Sequence, residues 1–330
     1  MNQHNNISTT YLGLSLKSPV IASSSNFTSS VDKILTLEKA GVGAVVLKSI
    51  FEEQILMEID ALRTNNMFDT YGYNEEYIAY YTKLHETNQY IQLIKEAKEA
   101  TSIPIIASIN CFSDSEWVSF AKNIEQAGAD AIELNIFILP SNPNQSAVEI
   151  RDKYFAIVRN VRKNTTLPLA VKLHHYFTDM AAFMVDLSKE VDALVLFNRF
   201  FNPDINTDTF NVESAGVFSN PSDHYLVQRW IGLLSGKVQS ELSASGGIHD
   251  ASGVIKSLLA GANVVQIASV LYQNGVDEIT KMNQGLSDWM IQKGFSSISE
   301  FKGKSSAAKI GHSGLYERAQ FMKYFSDFGK

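Results

Sequence analysis

A chain of 330 residues, 45% apolar and 19% charged, can bury a large core and carries too little charge for disorder. Its formal net charge of -7 comes from interspersed acids and bases with no Lys/Arg run, which excludes a nucleic-acid or polybasic membrane surface but allows a local phosphate pocket. Cys111 is the only cysteine, which rules out an intrachain disulfide, a cysteine-cluster zinc site and an iron–sulfur cluster on this chain.

The start, MNQHNNISTT, lacks the apolar stretch of a signal peptide, and no run reaches the ~18 apolar residues of a membrane span. A soluble, cytoplasmic protein is expected. In chain order, PVIAS from Pro19 reads as a strand, followed by a helix from Ser30 to Ala40. AVVLKS (Ala44 to Ser49) precedes a polar insert and a helix from about Glu75 to Ala100. IPIIASIN (Ile103 to Asn110) leads to a helix from Ser115 to Ala127, and AIELNI (Ala131 to Ile136) to one from about Ala147 to Lys163. PLAVKL (Pro168 to Leu173) is paired with a helix from Thr178 to Lys189, while ALVLFN (Ala193 to Asn198) is separated from its helix by a long loop. ELSASGG (Glu241 to Gly247) runs into a helix from Asp250 to Ala260, and VVQIAS (Val264 to Ser269) into a last helical region.

The strand runs are apolar throughout rather than alternating, the pattern of parallel strands covered on both faces. Eight strand–helix units predict a closed (β/α)8 barrel in preference to a doubly wound open sheet. AGVGAV, AGADAI and AGANVV mark the helix-to-strand returns, with glycine at the helix C-terminus. No linker is visible, so residues 1–330 are read as one domain, with an N-terminal extension over 1–12 and a C-terminal one over about 295–330. Three long loops, Ile50 to Asn74, Phe137 to Ser146 and Arg199 to about Pro221, follow strand C-termini, the face that carries barrel active sites.

Lys48, Asn135, Lys172 and Asn198 stand at or near strand C-termini, directed into the barrel mouth. Each alone is ordinary, but Lys48 and Lys172 sit inside apolar runs, and a buried lysine demands an anionic partner. SGGIHD (Ser245 to Asp250), followed by QIAS (Gln266 to Ser269), offers amides and a helix start for a phosphate. The plainer alternative is that Gly246 and Gly247 only shape a turn.

At these residues the chain, from about Gly13 to Gly303, resembles the dihydroorotate dehydrogenases, FMN-containing barrels of pyrimidine synthesis. SPVIASSS resembles the opening strand whose small residues, here Ala22 and Ser23, approach the flavin. VVLKS resembles the strand whose lysine, here Lys48, touches flavin and substrate, and IELN the segment whose Asn, here Asn135, binds substrate. PLAVKLHHYF is similar to the strand whose lysine, here Lys172, lies at the flavin pyrimidine edge. LFNR carries Asn198 at a further substrate position, SAGVFS brings Gly216 in a Gly-rich loop, and GFSSISEFKGK resembles the C-terminal segments. SASGGI and QIASVLYQNG resemble the FMN-phosphate site, with Gly246, Gly247, Ala268 and Ser269. The resemblance implies FMN, a small-molecule substrate and, as in the soluble relatives, a homodimer. It leaves the electron acceptor open, although the start of the chain disfavours the quinone-linked form.

One segment departs from that pattern. Where the family carries Ser, then Cys or Ser, then Pro-Asn, this chain reads ELNIFILPSNP, so Phe137, Ile138 and Leu139 replace the base that removes a substrate proton. The insert after the second strand has no recognisable substrate-binding Asn loop, and Cys111 is off the family position and reads as a core residue. A base contributes roughly 10²–10⁴ in rate, and Ser141, His174 and His175 are the candidates to replace it, the histidines being equally readable as loop residues. Three functions therefore stand open. They are FMN-dependent oxidation of dihydroorotate or a related cyclic substrate, a phosphate-binding lyase or aldolase with Lys172 as Schiff-base nucleophile, and an FMN binder without dihydroorotate turnover.

Overall fold

The computed structural model describes residues 6–51, 75–110, 117–199, 202–311 and 314–317. Eight strands lie side by side: β1 Val20–Ala22, β2 Ala44–Val46, β3 Ile105–Asn110, β4 Ala131–Asn135, β5 Leu169–Leu173, β6 Ala193–Leu196, β7 Glu241–Ser245 and β8 Val264–Ile267. Each pairs in parallel with the next, and β8 pairs with β1, so the sheet closes into a (β/α)8 barrel. Ile50–Phe51 continues β2 against the end of β3 after a break at Leu47, Lys48 and Ser49. Most of the insert that follows, and Cys111, lie outside the described residues.

The surrounding helices are α1 Val31–Lys39, α2 Glu75–Ala100, α3 Trp117–Gln126, α4 Ala147–Arg162, α5 Met180–Leu187, α6 His224–Leu234, α7 Ala251–Ala260, α8 Ser269–Asn274 and α9 Asp277–Lys293. Local chemistry sets their ends. Ser146 and Glu149 form a capping box on α4, and Asp250 accepts from the Gly253 N–H at the start of α7. The returns at Gly41, Gly128 and Gly261 have φ of +91°, +91° and +121°, a backbone only glycine adopts without strain. Helix α6 begins just beyond the long loop after β6, and within that loop an exposed hairpin pairs Pro203–Ile205 with Val212–Ser214.

The N-terminal stretch is more than an extension. Thr9–Tyr11 and Leu14–Leu16 form a hairpin that buries Tyr11, Leu12 and Leu16 against Ile21, Ala44, Val46, Ile106, Ala131, Ala170, Ala193, Val195 and Val264. Register partners on neighbouring strands share a face, so these positions form one apolar layer at the barrel floor. Counting on by twos along six of the strands gives a polar, buried set, Ser23, Ser108, Glu133, Lys172, Ser245 and Gln266, while β2 leads to the exposed Lys48 and β6 to the buried Phe197. A sealed apolar floor beneath a polar upper interior fixes where chemistry can occur. Beyond α9, Gly303 and Ser305 donate backbone bonds to the Leu258 and Leu259 carbonyls, which ties the C-terminal segment to α7.

Candidate active site

Lys172 is the next-to-last residue of β5 and stands in the upper layer, 7% exposed. Its ammonium donates to Ser23 Oγ at 2.9 Å and to Gln266 Oε1 at 3.3 Å, with Glu133 Oε1 at 3.8 Å. Gln266 in turn donates through Nε2 to Glu133 Oε2 at 2.6 Å, and the Ser23 hydroxyl donates to Gln266 Oε1 at 3.2 Å. Four strands thus supply one closed network, and Glu133 is the anionic partner that the burial of Lys172 demands. Glu133 and Gln266 escaped the sequence reading. They carry the same signal as Lys172, a polar residue inside an apolar run (AIELNI, VVQIAS).

A cavity of about 430 Å³ opens above this network. Its wall includes Ser23, Lys172, Asn198, Gly246, Gly247, Ala268 and Ser269, seven of the residues read as binding cofactor or substrate. Gln266, Arg199, Phe218 and Tyr272 also line it and were not anticipated. Phe218 stacks on Tyr272 at 5.3 Å between centroids, which makes an aromatic side wall. Arg199 pairs with Asp223 at 2.6 Å and donates to the Val217 and Gly216 carbonyls, tying down the loop before α6. The Ser219 N–H donates to Ser269 Oγ at 2.9 Å, joining that loop to the turn after β8.

Gly246 and Gly247 have φ of +115° and +68°. A Cβ on Gly247 would lie 2.3 Å from the His224 backbone nitrogen and 2.9 Å from the Asn220 oxygen, so no other residue fits at the start of α6. This turn, with Ala268 and Ser269 at the head of α8, is a backbone-lined concavity of the kind that receives a phosphate. On the amide side, Asn198 Nδ2 donates to Asn135 Oδ1 at 2.8 Å, so the two amides predicted for substrate meet directly.

Other predicted residues fall elsewhere. Lys48 follows β2 and is exposed, so the desolvation argument that holds for Lys172 does not apply to it, and it is absent from the cavity wall. Ala22 is wholly buried within β1, beneath the cavity-lining Ser23. Gly216 is exposed and approaches the site only through its carbonyl bond to Arg199. Ser141 is exposed, with its N–H donating to the Leu139 carbonyl, and it too is outside the wall.

Neither histidine reaches the cavity. His174 is 0% exposed. The Tyr176 N–H donates to its Nδ1, so in the neutral ring Nε2 carries the hydrogen and donates to the Ile138 carbonyl at 3.0 Å, with Tyr154 Oη 2.9 Å away. Burial pushes its pKa down to about 4, so it is a neutral structural histidine at physiological pH. It pins the segment after β4, and there Ile136 is buried and Ile138 packs on the core, which gives the apolar IFIL stretch a structural role. His175 lies in a separate depression with Met180, Leu226 and Trp230 between α5 and α6, and burial lowers its pKa as well.

Comparison with known proteins adds to this geometry. The sequence profile of the dihydroorotate dehydrogenase family matches residues 6–290. The chain is 25% identical to the dihydroorotate dehydrogenase B (NAD(+)) catalytic subunit of Methanothermobacter thermautotrophicus, covering 90% of this chain and 97% of that one. The corresponding subunit of Pyrococcus furiosus is 24% identical over 88% and 96%. The NAD-dependent dihydropyrimidine dehydrogenase subunit PreA of Escherichia coli is 25% identical, over 90% of this chain and 76% of its own.

Proposed function

The chain belongs to the dihydroorotate dehydrogenase family, flavin-dependent oxidoreductases acting on CH–CH bonds, and on that premise we propose that it holds FMN in the cavity above Lys172. One observation supports this most: a buried ammonium on the floor of a cavity whose wall also carries the Gly246–Gly247 turn, where a Cβ could not be accommodated. Gly246, Gly247, Ala268 and Ser269 would hold the phosphate through backbone amides, while Ser23 and Lys172 would meet the ring. Bound FMN supplies the hydride-accepting ring, chemistry that no side chain offers. Lys172 contributes a fixed positive charge where negative charge develops, already oriented by Ser23 and Gln266. The Asn135–Asn198 pair offers both donors and acceptors, which suits a small cyclic amide such as a dihydropyrimidine. The family match is to oxidoreductases and lends no support to a Schiff-base lyase using Lys172.

A second reading has its own observation. Among the described residues, none of the three side chains that could replace the family base, Ser141, His174 and His175, lines the cavity. The chain would then exchange hydride with a substrate whose proton comes from solvent, and dihydroorotate would not be turned over. Anaerobic mixing of the FMN-loaded chain with dihydroorotate separates the cases. Bleaching of the flavin supports dihydroorotate oxidation; a yellow protein that stays yellow supports the second reading. A colourless chain that takes up no added FMN overturns both. No helix among the described residues is long and apolar enough to cross a membrane.

A further inference from the structure

We infer that Glu133 is the countercharge that sets how strongly Lys172 favours reduced over oxidised flavin, a role resting on the FMN reading of the cavity. The side chains of Lys172 and Glu133 are 9% and 1% exposed, with Nζ and Oε1 3.8 Å apart. Among the described residues Oε1 has no hydrogen-bond partner, and Oε2 accepts only from Gln266 at 2.6 Å. The carboxylate charge is therefore spread over one neutral donor, and the nearest cation is Lys172. Glu133 is not part of the cavity wall, whereas Ser23, Lys172 and Gln266 are. Glu133 stands behind that wall, so a ligand in the cavity meets the ammonium first and the carboxylate through it. What it brings is its field.

That field works in two ways. By taking the Gln266 Nε2 hydrogen, Glu133 fixes which end of that amide faces Lys172, and the Gln266 oxygen then aims the ammonium together with Ser23. At the same time its negative charge offsets the attraction of Lys172 for the charge that the ring acquires on reduction, in a buried setting where salt screens little. The pair thus tempers a cation that alone would hold the reduced ring too tightly. Glu133 is a positioning residue acting through Lys172.

Glu133→Gln tests this, because glutamine keeps the size and still offers Gln266 an oxygen, while the charge is gone. The midpoint potential of the FMN-loaded protein is read against a reference dye. Reduced FMN should gain at least tenfold over oxidised FMN relative to the unmodified chain, about 30 mV upward for a two-electron couple. Glu133→Asp keeps the charge and should stay within about threefold of the unmodified chain, roughly half that shift at most. An unmoved or lowered potential in the Gln variant overturns the inference. So does an Asp variant that rises as far as the Gln variant, because side-chain length would then be the cause. Should the Gln variant not retain FMN, the Asp variant decides alone, a tenfold rise there being the contrary result. If the unmodified chain binds no FMN, it is the cofactor reading that fails; if it binds FMN and Glu133→Gln leaves the potential unmoved, only the countercharge fails.

Discussion

Gly247→Ala is the sharpest perturbation of the phosphate cradle. At φ +68° an alanine enters the left-handed region, which costs about 1–2 kcal/mol. Its Cβ would also meet the His224 nitrogen at 2.3 Å and Asn220 and Asp223 backbone atoms at 2.9 Å. Helix α6 cannot retreat, because Val227, Ile231 and Leu234 anchor it in the core, so the turn must move; overpacking of this kind costs roughly 1–3 kcal/mol more. The total of about 2–5 kcal/mol divides between melting and ligand binding. Loss of about 2 kcal/mol in binding is roughly 30-fold in FMN affinity. Gly246→Ala is the internal control: its φ of +115° is also unfavourable, but its Cβ would meet only Val227 Cγ2 at an ordinary 3.5 Å. Titration of the apoprotein with FMN by fluorescence quenching, alongside thermal melts, gives both quantities. If Gly247→Ala binds FMN within threefold of the unmodified chain and melts with it, the cradle is wrongly built.

The buried pair predicts non-additivity. Lys172→Met strands the Glu133 carboxylate and should lower apoprotein stability by about 3–5 kcal/mol, whereas Lys172→Met with Glu133→Gln should cost at least ~1 kcal/mol less than the two single losses added together. Urea unfolding measures the cycle, and strict additivity would show that the two side chains do not sense each other. His174 predicts a pH dependence. Its pKa falls from 6.5 in the unfolded chain to about 4 in the fold, so only the unfolded chain takes up the proton between those values. The stabilisation is therefore complete above about pH 6.5 and drains away as pH falls toward 4, by on the order of 2 kcal/mol after allowance for solvent screening. Subtracting the stability–pH profile of His174→Phe from that of the unmodified chain isolates it, and a flat difference across that window refutes the assignment.

The barrel was legible because its strands are buried on both faces and so appear as unbroken apolar runs, and because Gly41, Gly128 and Gly261 mark the returns. Lys172 and the Gly246–Gly247 turn were legible for a related reason: each breaks a strong local pattern. What the sequence concealed depends on the path of the chain after a strand ends. Lys48 and His174 keep the inward parity of their strands, yet one lies in solvent and the other is locked against Tyr154 and Ile138, because the backbone has already turned away. Glu133 looked like part of a substrate motif, and only the barrel closure that brings β4 and β8 to one interior gives it Gln266 as a partner. The hairpin at the floor has no periodicity of its own, being two three-residue strands, and its purpose is visible only from the ring it fills.

That hairpin ties the beginning of the chain to its far end. Thr9 Oγ1 donates to the Asn263 carbonyl, 254 positions away, and the Leu12 N–H to the Glu241 carboxylate, 229 positions away. The stopper is thus made early, and two of its hydrogen-bond ties wait for β7 and β8. Removing the last two strands would cost the vessel its base as well as its side, since the same residues that complete the circle also grip the plug.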